Sequence, residues 1–172
     1  MDINIRRATE ADASLVAATG LTVWIDTYAR DAVTRDMAGH VLAEFTEPRI
    51  RRHIAAPFTT IWIAETAGGV IGFADVTLPA ATPSLPDAAQ AEITRIYVLE
   101  RFTRQGVGSR LLRHATARAF ADGATVVWLS AWAGNQRAID FYKKHNWLHV
   151  GKTSFMLGAD AHPNHIFAIR KS

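Results

Sequence analysis

The chain has 172 residues, of which 49% are hydrophobic and 20% charged, with a formal net charge of +3 and no cysteine. This length and composition are typical of one globular domain, so we expect residues 1–172 to form a single domain. The absence of cysteine excludes disulfides, cysteine-bound zinc and a cysteine nucleophile, and the absence of an N-terminal signal or an apolar run of 18 residues predicts a cytoplasmic protein with no membrane span.

The first third of the chain predicts a strand followed by helices. Residues 3–7 alternate apolar and basic side chains, as in a half-buried strand. Thr9 and Asp12 have the spacing of a variant capping box, which predicts a helix from there to Tyr28. A second helical region over residues 41–53 is interrupted at Pro48, which predicts two short helices.

The middle of the chain predicts a β-hairpin. Residues 60–67 and 70–78 have the period of strands, and Gly68-Gly69 between them suits a tight turn. Residues 79–89 contain three prolines, which predicts a loop.

The rest of the chain alternates predicted strands and helices. In chain order these are a strand over 92–98, a helix over 107–121, a strand over 125–131, a helix over 135–145, and strands near 147–155 and 165–169. The strand over 125–131 is strongly apolar, which predicts a central position covered on both sides. The complete order, β-α-α-β-β-β-α-β-α-β-β, predicts an α/β or α+β sandwich with a mixed sheet.

Basic residues are concentrated in the second half of the chain. Five arginines lie within 18 residues: Arg101, Arg104, Arg110, Arg113 and Arg118. Such a cluster suits an anionic ligand with several phosphates, and it suits a solvated helix face equally well. Residues 104–118 contain no aromatic side chain for base stacking, so we expect no nucleic-acid partner.

A glycine-containing turn joins the strand over 92–98 to the next helix. Glycine lets a backbone approach a ligand closely, and the first amides of a helix point outward at the positive end of its dipole. A pyrophosphate could therefore bind the amides of this turn. The candidate residues are Arg104, Gln105, Gly106, Val107, Gly108 and Ser109. Leu111 at the third glycine position excludes a Rossmann fingerprint, and a purely structural turn is the alternative interpretation.

Two segments together carry a family pattern. Residues 103–108, TRQGVG, follow a strand as the motif [QR]-x-x-G-x-[GA] does, with Thr103 where Gln or Arg is usual. Residues 135–147, NQRAIDFYKKHNW, are similar to N-x-x-A-x-x-F-Y-x-x-x-G-[FW]; here Asn146 replaces a glycine and is tolerated at a left-handed helix cap. Together they resemble the GNAT superfamily of N-acetyltransferases, and the resemblance extends over residues 3–169.

The resemblance implies a fold, a co-substrate and contacts. It implies a GNAT-like mixed, mostly antiparallel sheet of six to seven strands, with helices on both faces and strands splayed at the coenzyme A site. It also implies acetyl-coenzyme A (acetyl-CoA) as co-substrate, no metal, and direct attack by an amine. Besides the turn, the implied coenzyme contacts are Ile96, Tyr97 and Val98, one of which supplies the oxyanion-binding amide, and Asn135 against the pantetheine arm.

Tyr142 matches the position of the family's general acid. A phenol with a pKa of about 10 can protonate a leaving thiolate. Tyr142 and Asn135 are seven residues apart and share one face of the predicted helix, whereas Phe141 lies off it. The alternative interpretation is a core aromatic residue.

The general base is less well defined by the sequence. Glu92 is the best carboxylate, because it lies near the start of the strand over 92–98 and could act through a water. An exposed charge at a strand end is equally consistent with the sequence. Tyr97 and Asp75 are weaker alternatives.

Three functions remain open at this point. Residues 127–135 and 151–158 look like bacterial spermidine/spermine acetyltransferases, which favours a small-molecule amine acceptor such as a polyamine. The alternatives are acetylation of a protein lysine or N-terminus, and a non-catalytic acyl-CoA sensor. Edge strands near the C-terminus would suit a homodimer. His162 and His165 have metal-like spacing without further ligands nearby, so no metal site is predicted.

Overall fold

The computed structural model describes residues 2–86 and 89–171, and its elements follow the predicted order. They are β1 (Asn4–Arg7), α1 (Ala13–Tyr28), α2 (Arg35–Glu44), α3 (Glu47–Ala55), β2 (Thr59–Thr66), β3 (Gly69–Thr77), β4 (Gln90–Val98), α4 (Val107–Ala121), β5 (Val126–Trp132), α5 (Gln136–Lys144), β6 (Leu148–Leu157) and β7 (Asp160–Arg170). Short 3-10 turns precede α1 and follow β4.

Within the described residues, the strands form a seven-stranded sheet in the order β1-β2-β3-β4-β5-β7-β6. β1 pairs with β2, β5 with β7 and β6 with β7 in antiparallel fashion, and β4 pairs with β5 in parallel. β5 has a neighbour on each side, and its residues from Val126 to Leu129 are buried. The predicted mixed, mostly antiparallel sheet and its central apolar strand are thus confirmed.

The contacts of the chain group into two compact units, and each unit takes two segments of the sequence. Unit 1 takes the residues up to Val76 and Arg95–Ala115; unit 2 takes Thr77–Thr94 and the residues from Thr116 onward. Unit 1 therefore contains the first three helices and the turn after β4, and unit 2 contains α5 and the β6–β7 hairpin. That residues 1–172 act as one domain stays a prediction.

The start of α1 is organised by Asp12. Its carboxylate accepts hydrogen bonds from the backbone N–H and the hydroxyl of Thr9, at 2.8 and 2.9 Å, which is the reach predicted for the capping box. The same carboxylate accepts two hydrogen bonds of 2.8 Å from the Arg6 guanidinium. The Arg6 guanidinium, with smaller help from Thr9, holds the pKa of the buried Asp12 carboxyl well below its usual range.

Stability is expected to fall in acid because of Asp12. A carboxyl whose pKa is lowered by folding stabilises the folded state above its unfolded pKa, which is about 4, and loses that contribution as the pH falls. In urea unfolding, the free energy of unfolding of the wild-type protein should drop more between about pH 5 and pH 3 than that of Asp12→Asn. Asp36→Asn, at an exposed position of α2, is the matched control and should follow the wild type. Equal drops in wild type and Asp12→Asn would contradict this account.

The helical region before β2 breaks at a different place than predicted. α2 ends at Glu44 and α3 begins at Glu47, so the chain breaks before Pro48 and not at it. Pro48 lies in the first turn of α3, capped by Thr46. Proline is tolerated there because the N–H groups of a first turn have no acceptor within the helix. The prediction of two helices is confirmed, while α2 begins at Arg35, well before the predicted residue 41.

β6 and β7 are longer than predicted, and Pro163 lies inside β7. The last residues paired between β5 and β7 are Trp132 and Asn164. Pro163 lies just beyond this pairing, where no backbone N–H is required for it, so a proline is tolerated there. The Pro163 carbonyl still accepts a hydrogen bond of 2.8 Å from the Ala133 N–H. β7 therefore continues through the proline, beyond the predicted range of 165–169.

Candidate functional site

The turn between β4 and α4 has an unusual backbone. After the 3-10 turn Glu100–Phe102, Arg104 and Gly106 adopt positive φ angles of 60° and 82°. Left-handed residues in such a turn are typical of concave, anion-binding arrangements of N–H groups. Gly108 was expected in the turn as well; it is instead the second residue of α4, because the helix begins at Val107.

The first turn of α4 supplies N–H groups that the helix itself cannot use. The Arg110 N–H donates to the Gly106 carbonyl at 3.0 Å, which begins the intrahelical ladder. The N–H groups of Val107, Gly108 and Ser109 come before that bond, at the positive end of the helix dipole. This is the backbone arrangement predicted for a pyrophosphate site; the binding itself stays a prediction.

Several side chains at this turn are engaged within the protein. Gln105 Nε2 donates to the Arg101 carbonyl at 2.8 Å, and the Arg110 guanidinium donates to the Ile3 carbonyl at 2.7 Å. One N–H of the Gln105 side chain is therefore already used within the protein. The predicted apolar face of α4 is confirmed by its buried side chains, which are Val107, Leu111, Ala115 and Ala119.

The end of β4, residues 96–98, lies close against β3. A Cβ atom added to Gly72 would lie 2.6 Å from the Tyr97 carbonyl oxygen and 3.2 Å from the Val98 Cα, so only glycine fits there. The Tyr97 ring packs against Phe73, with 5.5 Å between the ring centroids. The backbone assigned to oxyanion binding is therefore held in place by close packing within unit 1, and that assignment stays a prediction.

In unit 2, the second motif has the predicted helical form. The Asn135 side chain caps α5 by accepting a hydrogen bond of 3.2 Å from the Ala138 N–H. Asn135 and Ala138 are half-buried, and Ile139 and Tyr142 are buried. The prediction that these four residues share one face of the helix is therefore confirmed.

The C-terminal end of α5 explains how Asn146 replaces a glycine. Asn146 has a φ of 61°, in the left-handed region. The Trp147 N–H donates to the Tyr142 carbonyl at 3.1 Å, and the Asn146 N–H donates to the Lys143 carbonyl at 3.0 Å. These two bonds form a Schellman motif, which confirms the predicted helix cap.

Tyr142 lies among aromatic rings. Its side chain is 6% exposed, and its ring centroid lies 5.3 Å from Phe141, 6.2 Å from Trp147 and 5.9 Å from Phe167. A core aromatic residue would also have such neighbours. The roles of Tyr142 as general acid and of Asn135 in pantetheine contact stay predictions.

Glu92 lies on the part of β4 that belongs to unit 2. It is half-buried and stands beside Trp128 in the parallel register of β4 and β5. Pairing covers Gln90–Glu92 with Val126–Trp128. The predicted splaying of the two strands farther along, and the role of Glu92 as general base, stay predictions.

Unit 1 contains a set of charged side chains that the sequence did not reveal. Asp75 on β3 is 1% exposed and accepts a hydrogen bond of 2.9 Å from Arg95, while both of its oxygens lie 2.9 Å from His53 Nε2. Arg95 also donates to Glu44 at 2.9 Å, and Glu44 lies 2.6 Å from Arg49. We call these residues (Glu44, Arg49, His53, Asp75 and Arg95) the charge cluster.

One sequence signal could have pointed to this cluster. Asp75 lies at two-residue spacing from Phe73 and Ile71 on β3, so the three share one face of the strand, and Ile71 and Phe73 are buried. A carboxylate on a buried strand face requires partners, because an unpaired buried charge is very unfavourable. Its partners lie 20 and 22 positions away in the sequence, so they cannot be identified from local spacing.

Two negative findings concern the described residues only. Among residues 2–86 and 89–171, no group of three or more histidine, aspartate or glutamate side chains could hold a metal ion. Of the two histidines with metal-like spacing, His165 contacts another histidine: its Nδ1 lies 3.1 Å from His149 Nε2 on the neighbouring strand. In the same part of the chain, no helix combines the length and apolar character of a membrane span.

Comparison with known proteins gives one family match and many similar folds. Residues 24–147 match the model of the acetyltransferase (GNAT) family. An "uncharacterized N-acetyltransferase in pepI 3′ region" of Lactobacillus delbrueckii subsp. lactis is 26% identical over 158 residues, which is 92% of this chain and 91% of the relative. An uncharacterized N-acetyltransferase of Mycobacterium tuberculosis (strain ATCC 25618 / H37Rv) is 28% identical over 78% of this chain and 81% of its own length.

Solved structures show the same fold. The PaiA N-acetyltransferase of Thermoplasma acidophilum, in complex with coenzyme A, superposes with a TM-score of 0.79 at 18% identity, covering 99% of this chain and 100% of that one. Arabidopsis thaliana NAA60, in complex with a bisubstrate analogue, gives a TM-score of 0.73 at 15% identity, covering 98% of each chain. At these identities the similarity establishes the fold alone.

Proposed function

The chain belongs to the acetyltransferase (GNAT) family, and from this premise we propose that it transfers an acetyl group from acetyl-CoA to a primary amine of a small molecule such as a polyamine. Family membership makes the chain an acetyl-CoA-dependent N-acetyltransferase. The acceptor, the residue roles, a cytoplasmic location and a homodimer are proposals.

The β4–α4 turn is the observation that carries the proposal. Arg104 and Gly106 are left-handed, and the N–H groups of Val107, Gly108 and Ser109 open α4. A diphosphate bound there would accept hydrogen bonds from backbone groups that the helix leaves without an acceptor. Such binding depends little on side chains, so the replacement of Gln or Arg by Thr103 in the motif is compatible with it.

The proposed chemistry assigns a role to each motif residue. An amine attacks the thioester carbonyl, and a backbone N–H of residues 96–98 stabilises the resulting oxyanion. Tyr142 protonates the leaving thiolate, and Asn135 contacts the pantetheine arm. Glu92 is the base that the sequence favours, acting through a water. Removal of a proton is required because an alkyl ammonium group, with a pKa of about 10.4, is not a nucleophile.

A small-amine acceptor is supported by the likeness of two segments to spermidine/spermine acetyltransferases. They correspond to residues 127–135, which lead from β5 into α5, and to residues 151–158, which form most of β6. β6 is also an edge strand of the sheet, which supports the proposal of a homodimer.

A thiol-release assay with acetyl-CoA tests the proposed acceptor. The panel contains polyamines, aminoglycosides, amino acids and peptides, and a polyamine with blocked primary amines is the matched control acceptor. We expect the highest kcat/KM with a free polyamine and no release with the blocked one. A preference for peptides would replace the small-amine proposal by protein acetylation. If no acceptor leads to thiol release while acetyl-CoA binds normally, the result would favour a non-catalytic acyl-CoA sensor.

A further inference from the structure

The charge cluster contains a histidine–carboxylate pair whose members differ in exposure. The Asp75 side chain is 1% exposed, whereas the His53 side chain is 30% exposed. His53 Nε2 lies 2.9 Å from each Asp75 oxygen, so the ring is held at this nitrogen. One edge of the imidazole is therefore fixed on a buried carboxylate, while part of the ring reaches the surface.

These contacts assign the tautomer of His53. The Asp75 carboxylate already accepts a hydrogen bond of 2.9 Å from Arg95, so it is an anionic acceptor, and Nε2 must donate to it. In the neutral ring the other nitrogen, Nδ1, is then a proton acceptor. Within the part of the chain that the structure describes, the His53 ring makes no other hydrogen bond.

Besides His53, the charge cluster contains four charged side chains from four elements. Asp75 on β3 and Glu44 on α2 are negative, and Arg95 on β4 and Arg49 on α3 are positive. These four charges sum to zero, and the carboxylate is the group in direct contact with the imidazole. The Asp75 carboxylate is therefore the charged group that orients the imidazole ring.

The cluster also lies close to the backbone assigned to the oxyanion. The Leu99 N–H donates to the Ile71 carbonyl at 3.0 Å and the Arg95 guanidinium donates to Asp75 at 2.9 Å, so this part of β4 lies beside β3. Arg95 lies two positions before Tyr97 on the same strand, which is about 7 Å along β4. That distance is within the length of a small amine acceptor, and all of these residues belong to unit 1.

Given the proposed function, we propose that His53, oriented by Asp75, is the group that removes the proton from the acceptor ammonium. The proton passes to Nδ1, and the freed nitrogen lone pair forms a bond to the thioester carbonyl carbon. The carbon–sulfur bond then breaks with its electron pair on sulfur, which takes a proton from Tyr142. The new amide nitrogen returns its second proton to the Tyr142 phenolate, and His53 releases its proton to water. In this scheme His53 takes the place of Glu92, the base that the amino-acid sequence favours.

The pH dependence of kcat/KM tests this assignment, with the best acceptor from the thiol-release panel. We expect His53→Gln to lower kcat/KM about 10²-fold near pH 7. The substitution should also remove the limb of the pH profile of kcat/KM that reports the titration of an imidazole. Glutamine keeps an N–H donor for Asp75, so thermal stability and acetyl-CoA affinity should be retained. His40→Gln, a matched histidine control in unit 1, should keep this limb of the pH profile.

Chemical rescue separates catalysis from a structural role. In His53→Ala, added imidazole should restore part of the turnover, because a free base can take the proton at the vacated position. A merely structural histidine would change stability or KM without moving the pH limb or giving rescue. If His53→Gln keeps wild-type turnover and an unchanged pH profile, and imidazole gives no rescue of His53→Ala, this inference is overturned. The proposed function would then still stand. Lack of turnover with every amine would overturn the proposed function and this inference with it.

Discussion

Replacing Tyr142 with phenylalanine is expected to lower kcat about 10²- to 10³-fold while leaving the Kd for acetyl-CoA unchanged. The coenzyme A thiolate leaves more readily when it is protonated, and phenylalanine has no proton to give. The Tyr142 ring packs against Phe141, Trp147 and Phe167, and phenylalanine keeps those contacts. Steady-state kinetics measure kcat, and calorimetry measures the Kd.

The Tyr142 prediction needs a control for the loss of a phenol elsewhere. Tyr28→Phe removes the hydroxyl of a half-buried tyrosine in unit 1 that packs on Trp24 at 4.9 Å between ring centroids. Its kcat should stay close to that of the wild type. If Tyr142→Phe retains kcat within about threefold of the wild type, Tyr142 is not the general acid, since loss of such a group costs far more.

Replacing Asp75 with asparagine is expected to reduce the free energy of unfolding by about 3 kcal/mol. Asp75 is buried, and it is the acceptor for both His53 and Arg95. Asparagine has nearly the same shape, but it removes the negative charge on which both partners depend. Arg95 keeps its contact with Glu44, which places the expected effect at the lower end of the range for broken buried pairs.

Urea unfolding at neutral pH measures the Asp75 effect, with Asp36→Asn as the matched exposed control. The control should change the free energy of unfolding by less than about 0.5 kcal/mol. A double-mutant cycle with Arg95→Met should show coupling between Asp75 and Arg95. A loss below about 1 kcal/mol for Asp75→Asn would contradict the importance given to the charge cluster.

The elements with strong local periodicity could be predicted closely from the sequence. α4 has the predicted bounds, because its apolar residues recur every fourth position and a glycine marks its start. α2 begins earlier than predicted. Residues 35–40 mix polar and apolar side chains without a clear helical period, so the sequence gives no signal for its first turns. Pro48 predicts a break in the helical region, although a proline also fits the first turn of a new helix, which is its position in α3.

The two motifs and the charge cluster differ in how they can be found. The β4–α4 turn and α5 are contiguous segments, so their residues lie together in the sequence as they do in the structure. The cluster joins α2, α3, β3 and β4, and Glu44 is 51 positions from Arg95. A contact at that separation is decided by packing of the helices on the strands, which no local pattern encodes. The acceptor cannot be predicted from the motifs either, because a fold does not determine a substrate.

Isothermal titration calorimetry with acetyl-CoA tests the central claim, which is that peptide N–H groups at residues 104–109 bind the diphosphate of the coenzyme. Acetyl-pantetheine, which lacks the diphosphate, should bind at least about tenfold more weakly. Gly106→Ala, which forces a side chain onto a φ of 82°, should weaken acetyl-CoA binding, while Gly39→Ala, with open space around it, should not. Saturable binding of acetyl-CoA, with binding of acetyl-pantetheine weaker by at least about tenfold, is the predicted result. No heat of binding at about millimolar acetyl-CoA would contradict the claim.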